Sequence, residues 1–161
     1  ALELSPTFIR TYFEVAQAYL NKENADKAVE FFQKAVDLNP ETGLSWWYLG
    51  VAKIEAGDKS GEEDTERALE VKNAYNPGES DFLRLVGYYL KTKNFAKVAG
   101  IYERLTLMDG KNPQYHASLA TAYANLGRVD DAVKSTRKAV EVDPSFEPDA
   151  RIFLKSLGIE F

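Results

Sequence analysis

No cysteine occurs in the 161 residues, which excludes disulfides, thiolate nucleophiles and cysteine-ligated zinc or iron–sulfur centres together. Histidine occurs once, as His116, so neither a two-histidine metal site nor paired-histidine catalysis can be assembled. Positive charge is in deficit: 20 Lys and Arg stand against 25 Asp and Glu, a formal net charge of -5. That balance works against a nucleic-acid partner, whose phosphates each need a clustered basic side chain. No apolar run approaches the roughly 20 residues that a membrane-crossing helix needs, and residues 1–10 lack a basic start followed by an apolar stretch. Neither G-x-x-x-x-G-K-[ST] nor G-x-G-x-x-G occurs, and a serine nucleophile would lack a base. These absences predict a chain with no catalytic site, no metal and no cofactor, which neither inserts into a membrane nor takes nucleic acid as its main partner.

What the chain does have is a period. Pro6 and Pro40 lie 34 residues apart, as do Ala1 and Ala35, Leu2 and Val36, and Leu4 and Leu38. Phe82, Leu85 and Tyr89 recur 34 residues later as His116, Leu119 and Tyr123, and Phe95 and Val98 recur as Val129 and Ala132. Tyr12 steps to Trp46 by 34, but the next equivalent, Phe82, lies 36 further on, so the second unit holds two extra residues, placed around Asp58–Ser60. Within each unit apolar residues recur every three or four positions in two stretches parted by a break, the pattern of an amphipathic helical hairpin. First helices are predicted over 7–21, 42–57, 79–93 and 113–127, and second helices over 25–38, 61–74, 95–108 and 129–142. Asn112-Pro113 supplies a cap and a first-turn proline, and Ser60 with Glu63 reads as a capping box. Leu38-Asn39-Pro40 and Val142-Asp143-Pro144 stop helices where proline cannot continue them.

These columns resemble the tetratricopeptide repeat, whose pattern is W-x2-L-G-x2-Y, then A-x3-F, then proline. Trp46, Leu49 and Gly50 match literally, with Lys53 in place of the tyrosine. Tyr12, Val15, Ala16, Tyr19, Ala28, Phe32, Ala35 and Pro40 fill the first unit; His116, Leu119, Ala120, Tyr123, Ala132, Ala139 and Pro144 fill the fourth. The third is looser, with Phe82, Leu85, Val86, Tyr89, Val98, Tyr102, Leu105 and Gly110. The second helix of the second unit departs most, with Asp64 where a small apolar residue is expected. Small residues such as Ala16, Gly50 and Ala120 let paired helices approach closely, so the columns specify packing and not chemistry. The resemblance implies an all-α fold, a right-handed superhelical stack of antiparallel hairpins, with repeats at 7–40, 41–77, 78–111 and 112–145. Residues 1–6 align with the tail of a preceding repeat, which implies a further hairpin upstream, while 146–161 resemble the family's C-terminal capping helix. In that helix Ala150, Phe153, Leu154 and Leu157 would cover the last hairpin and Arg151 and Lys155 would stay wet.

Single residues that could suggest chemistry have structural explanations. His116 shares its column with Tyr12, Trp46 and Phe82 and reads as packing. The acidic run Glu62, Glu63, Asp64 and Glu66 lacks the oxygen spacing of a calcium loop and suits a helix start.

Recognition is therefore expected on the concave face that the resemblance implies, lined mainly by first helices. With Trp46 assigned to the hairpin core, Trp47, turned about 100° around the helix, is expected to point away from it together with Val51 and Ile54. Equivalent positions are Phe13, Gln17 and Asn21, then Leu83 and Leu90, then Thr121 and Asn125, with Arg10 bordering one end. Trp47 either lines this groove or is taken up by tighter packing of the stack. The family includes members that clamp a terminal carboxylate with Lys, Asn and Arg; Phe13, Gln17 and Trp47 stand at those places, which favours an apolar or helical peptide. The resulting expectation is a protein-binding scaffold. Alternatives are an accessory module of a larger bacterial membrane or envelope enzyme or secretion complex, an RNA-reading helical repeat, and self-association through Ala1, Leu2 and Leu4.

Overall fold

The computed structural model of the chain describes residues 6–160, with side chains from Phe8 onward. The apolar Ala1, Leu2 and Leu4 expected at a self-associating end lie outside the described residues, as does Phe161. Among those described, the regular structure is helical: α1 (Pro6–Asn21), α2 (Ala25–Leu38), α3 (Gly43–Glu55), α4 (Gly61–Arg67), α5 (Glu79–Lys91), α6 (Phe95–Met108), α7 (Pro113–Asn125), α8 (Val129–Val142) and α9 (Glu147–Ser156), with a 3-10 turn at Pro144–Phe146. They fall into two compact units, one ending at Pro77 with α1–α4 and one beginning at Gly78 with α5–α9.

Each hairpin turns by the same device. Glu23, Gly57, Lys93 and Gly127 hold left-handed backbone, with φ of 57°, 85°, 55° and 72°. The N–H of the next residue then reaches back to the last turn of the first helix: Asn24 to Tyr19 O at 3.0 Å, Asp58 to Lys53 O at 2.8 Å, Asn94 to Tyr89 O at 2.8 Å and Arg128 to Tyr123 O at 2.9 Å. This is the Schellman closure, which satisfies carbonyls that a helix end would otherwise leave bare. Asn24 and Asn94 then cap α2 and α6 by accepting from Lys27 and Lys97 N–H. The second helix starts two residues after the left-handed residue in three hairpins but four after it in the second, so the extra pair sits between Gly57 and Gly61. The capping box expected of Ser60 and Glu63 does not form. Ser60 is already helical, at φ -63° and ψ -18°, rather than extended as a cap must be. Asp58 organises this loop instead, accepting from Ser60 N–H at 2.9 Å, a bond that holds its carboxyl below the usual range.

In the first unit, rings of α1, α2 and α3 fill the space between helices. Phe13 meets Phe32 and Tyr48 edge-on at 5.3 and 5.5 Å, while Tyr19 stacks on Phe31 at 5.6 Å. Such pairs each contribute about 0.5–1.5 kcal/mol beyond their burial. The α3–α4 contact is made by backbone against backbone: a Cβ on Gly50 would lie 2.5 Å from Gly61 O, and one on Gly61 would fall on Gly50 O. One turn away Lys53 Nζ lies 2.6 Å from Asp64 Oδ2, with both side chains largely buried. The two departures from the repeat pattern, a lysine for tyrosine and an aspartate for a small residue, are thus partners across one interface.

The helix expected over 61–74 stops at Arg67. Beyond Ala68 the chain doubles back, and Asn73 forms an isolated parallel bridge with Thr42. Gly43 N–H donates to Asn73 O at 2.9 Å, Asn73 N–H to Glu41 O at 3.0 Å, and Tyr75 N–H to Ala68 O at 2.8 Å. Donors that a continued helix would have used internally are taken up by these bonds, which is why the amphipathic pattern of 68–74 misleads.

In the second unit Leu105, Val98 and Leu154 are fully buried. Within α9, Ala150 and Leu154 are buried, Phe153 and Leu157 half-buried, and Arg151 and Lys155 exposed.

Two stability measurements follow, both by chemical denaturation. Replacing Lys93, an L-residue in left-handed backbone, by Gly is expected to stabilise by about 0.5 kcal/mol, and Gly127→Ala to destabilise by about 1 kcal/mol. Lys53→Met and Asp64→Ala are each expected to cost about 2 kcal/mol, with the double variant losing less than the sum by about 1 kcal/mol or more.

Candidate interaction surface

The residues expected to meet a ligand divide sharply by burial. In the first unit Trp47, Val51 and Ile54 are 3%, 0% and 4% exposed, which corrects the expectation that Trp47 turns away from the hairpin core. Its ring lies against Tyr75 at 5.9 Å. Helix α3 is surrounded, burying Ser45, Trp47, Leu49, Gly50, Val51, Ala52 and Ile54 around its circumference, so a two-faced reading of it fails. Trp46, assigned to the core from the sequence, is only half-buried; its Nε1–H donates to Pro40 O at 2.8 Å, and the Arg67 guanidinium lies 4.6 Å above its ring. Phe13 is half-buried within the ring cluster, and Gln17 is half-buried. Arg10 and Asn21 are exposed, the former paired with Glu14 at 2.7 Å.

The second unit keeps its expected positions open. Leu83 and Leu90 on α5 are 37% and 47% exposed, while Phe82, Leu85, Val86 and Tyr89 of the same helix are buried. Between them Gly87 has open space where a Cβ would project, so the strip is a shallow apolar furrow. Thr121 and Asn125 of α7 are exposed. Both already satisfy backbone carbonyls, Thr121 Oγ1 donating to Ala117 O at 3.1 Å and Asn125 Nδ2 to Thr121 O at 2.9 Å. Beside Thr121 a mostly apolar cleft of about 160 Å³ opens between α7, α8 and α9, walled by Ala117, Thr136, Phe146, Ala150 and Phe153. Sequence reasoning missed this cleft because Phe146 belongs to the 3-10 turn, where no helical period announces it. Its only signal was an aromatic between Pro144 and Pro148.

The buried face of α7 is structural. His116 Nε2 lies 3.0 Å from Gly110 O, an acceptor, so that nitrogen carries the proton. Trp46 makes the same reach, six residues back, to Pro40 O, so in these two hairpins the same column ties the first helix to the turn before it. Tyr123 donates to Glu103 Oε1 at 2.6 Å, and burial followed by that carboxylate pushes its phenol up to about 12. Tyr115 is likewise pushed up to about 12, by burial and then by Glu79.

A model of the tetratricopeptide repeat matches residues 9–42 and 113–146, which span the first and last hairpins. These are tetratricopeptide repeats. The chain is 33% identical over 76 residues to a TPR repeat-containing thioredoxin of Arabidopsis thaliana, covering 47% of the chain and 11% of that protein. It is 24% identical over 135 residues to the Hsp70-Hsp90 organizing protein of Triticum aestivum, covering 82% of the chain and 21% of that protein. The chain thus spans about a fifth or less of the length of these two relatives. Among solved structures, MamA 41-end from Desulfovibrio magneticus RS-1 superposes with a TM-score of 0.65 at 14% identity, over 93% of this chain and 85% of that one. The tetratricopeptide fold, shared here, is a protein-interaction scaffold.

The raised phenols set a pH dependence. Folded Tyr115 and Tyr123 hold their protons above the ordinary value of 10.0, so their contribution is complete below about pH 10 and declines as pH rises towards 12. In an ultraviolet tyrosinate titration of the folded chain, Tyr115→Phe and Tyr123→Phe should each remove one late-ionising phenol.

Proposed function

We propose that this chain is a non-catalytic module of a longer protein that binds a peptide or helix from a protein partner, using the open strip of its first helices in the second unit. The observation that carries this reading is the α5 furrow: Leu83 and Leu90 stay exposed on either side of Gly87 while Phe82, Leu85, Val86 and Tyr89 of the same helix are buried. Solvent-facing leucines one above the other at helical spacing gain by covering, and a furrow between them admits an apolar side chain of a partner. The exposed Thr121 and Asn125 side chains offer hydrogen bonding without a charge, which suits a ligand read by shape and apolar contact rather than by a terminal carboxylate. The shared scaffold fold supports a protein as the partner class.

Affinity capture with the full-length parent, followed by mass spectrometry and calorimetry on the captured partner, tests this. Leu83→Ser with Leu90→Ser is expected to weaken binding about tenfold or more. The control is Leu107→Ser on α6, a residue 87% exposed but outside the strip, which should bind as the parent does. Undiminished affinity in the α5 variant rejects the site.

A further inference from the structure

Residues 69–77 are not helical, and Tyr75 within them lies against Trp47. The segment leaves α4 at Ala68, crosses the start of α3, and lays Tyr75 against the indole of Trp47 at 5.9 Å. Three backbone bonds tie it down, from Gly43, Asn73 and Tyr75 N–H, together with an exposed ion pair of Lys72 Nζ with Glu41 Oε2 at 3.2 Å. Of its side chains only Pro77 is buried, Leu69, Val71 and Tyr75 are half-buried, and Glu70, Lys72, Asn73, Ala74 and Asn76 are exposed. A segment with one buried side chain in nine residues belongs to the low-stability end of a fold, even though two of its backbone bonds end on the buried Gly43 and Ala68, whereas Trp47, Leu49 and Val51 of α3 beneath it belong to the core.

The fit is specific. Gly43 opens α3, and a Cβ there would fall on Ala68 O, Tyr75 N and Ala74 C. All three atoms belong to the returning segment or to its root, so this glycine exists to let the segment lie down. Its N–H is also bonded by the segment, through Asn73 O, while the residue before it, Thr42, makes no side-chain cap. The segment therefore also caps α3.

We propose that residues 69–77 form a strap that opens and closes as a unit, short of global unfolding, and that its opening exposes Trp47 and the backbone edge Glu41–Gly43. In the closed state Tyr75 occupies the face of Trp47 and Asn73 occupies the edge. The two are released together because they lie two residues apart on one extended stretch anchored at Ala68 and Pro77. This device is independent of the α5 strip, and its test requires no ligand.

Native-state hydrogen exchange of the unaltered chain in increasing denaturant reads it directly. The amides of Gly43, Asn73 and Tyr75 are expected to exchange through one common opening, at least about tenfold more populated than the opening that frees Leu49 and Val51 amides in α3. Exchange of all five amides through a single opening overturns the proposal. Trp47 fluorescence, isolated in a Trp46→Phe background, gives a second reading. Gly43→Ala, which crowds the strap and its root at Ala68, should raise the acrylamide quenching constant of Trp47 about twofold or more while the circular dichroism of the helices is retained. A folded Gly43→Ala variant whose Trp47 is quenched no faster also overturns it, and the exchange experiment decides the matter if that variant does not fold.

Discussion

Everything in this molecule depends on one backbone constraint: at the end of each first helix a single residue must turn left-handed so that the following N–H can reach back over the helix terminus. Glu23, Gly57, Lys93 and Gly127 do this at the same phase of each hairpin. Because the turn is fixed by hydrogen bonds to the helix itself, the direction in which the second helix departs is set locally, before any side chain packs. Packing then selects among residues compatible with that direction. Two of the four positions carry glycine and two carry charged residues, so the geometry is held even where the side chain opposes it.

The fold was legible because it is written in spacing. The 34-residue columns, the proline stops after Leu38 and Val142, and the Asn112-Pro113 start each map onto an observed helix end. The early end of the fourth helix was not legible, and its cause is tertiary backbone bonding. The pattern of 68–74 reads as helix, yet Asn73 and Tyr75 donate elsewhere, and nothing in their spacing reveals it. The candidate surface was half legible for a related reason. Helical phase correctly placed Leu83, Leu90, Thr121 and Asn125 on exposed ground. The same phase failed for Trp47, Val51 and Ile54, because phase gives the angle of a side chain and not what comes to lie over it.

The second hairpin shows how a repeat tolerates apparent errors. Lys53 and Asp64 each violate the column they occupy, and each would strand a charge in a tight interface if it stood alone. Together they neutralise one another at 2.6 Å, beside a glycine pair that brings the backbones into contact. The pattern is broken twice in a way that sums to a close ion pair. Judged position by position the hairpin looks defective; judged as a pair of helices its two charges have opposite partners.

The Lys53–Asp64 pairing bears on how such arrays can be rearranged by recombination. Repeats built only of aromatic and small residues can exchange single helices, since any large residue meets any small one. Helix α3 carries a cation whose close carboxylate partner lies on α4, so the two are best inherited as a couple. A crossover between Gly57 and Gly61 would leave a chimera with an orphaned charge, a cost added to the ring contacts that any breakpoint in the first unit disturbs.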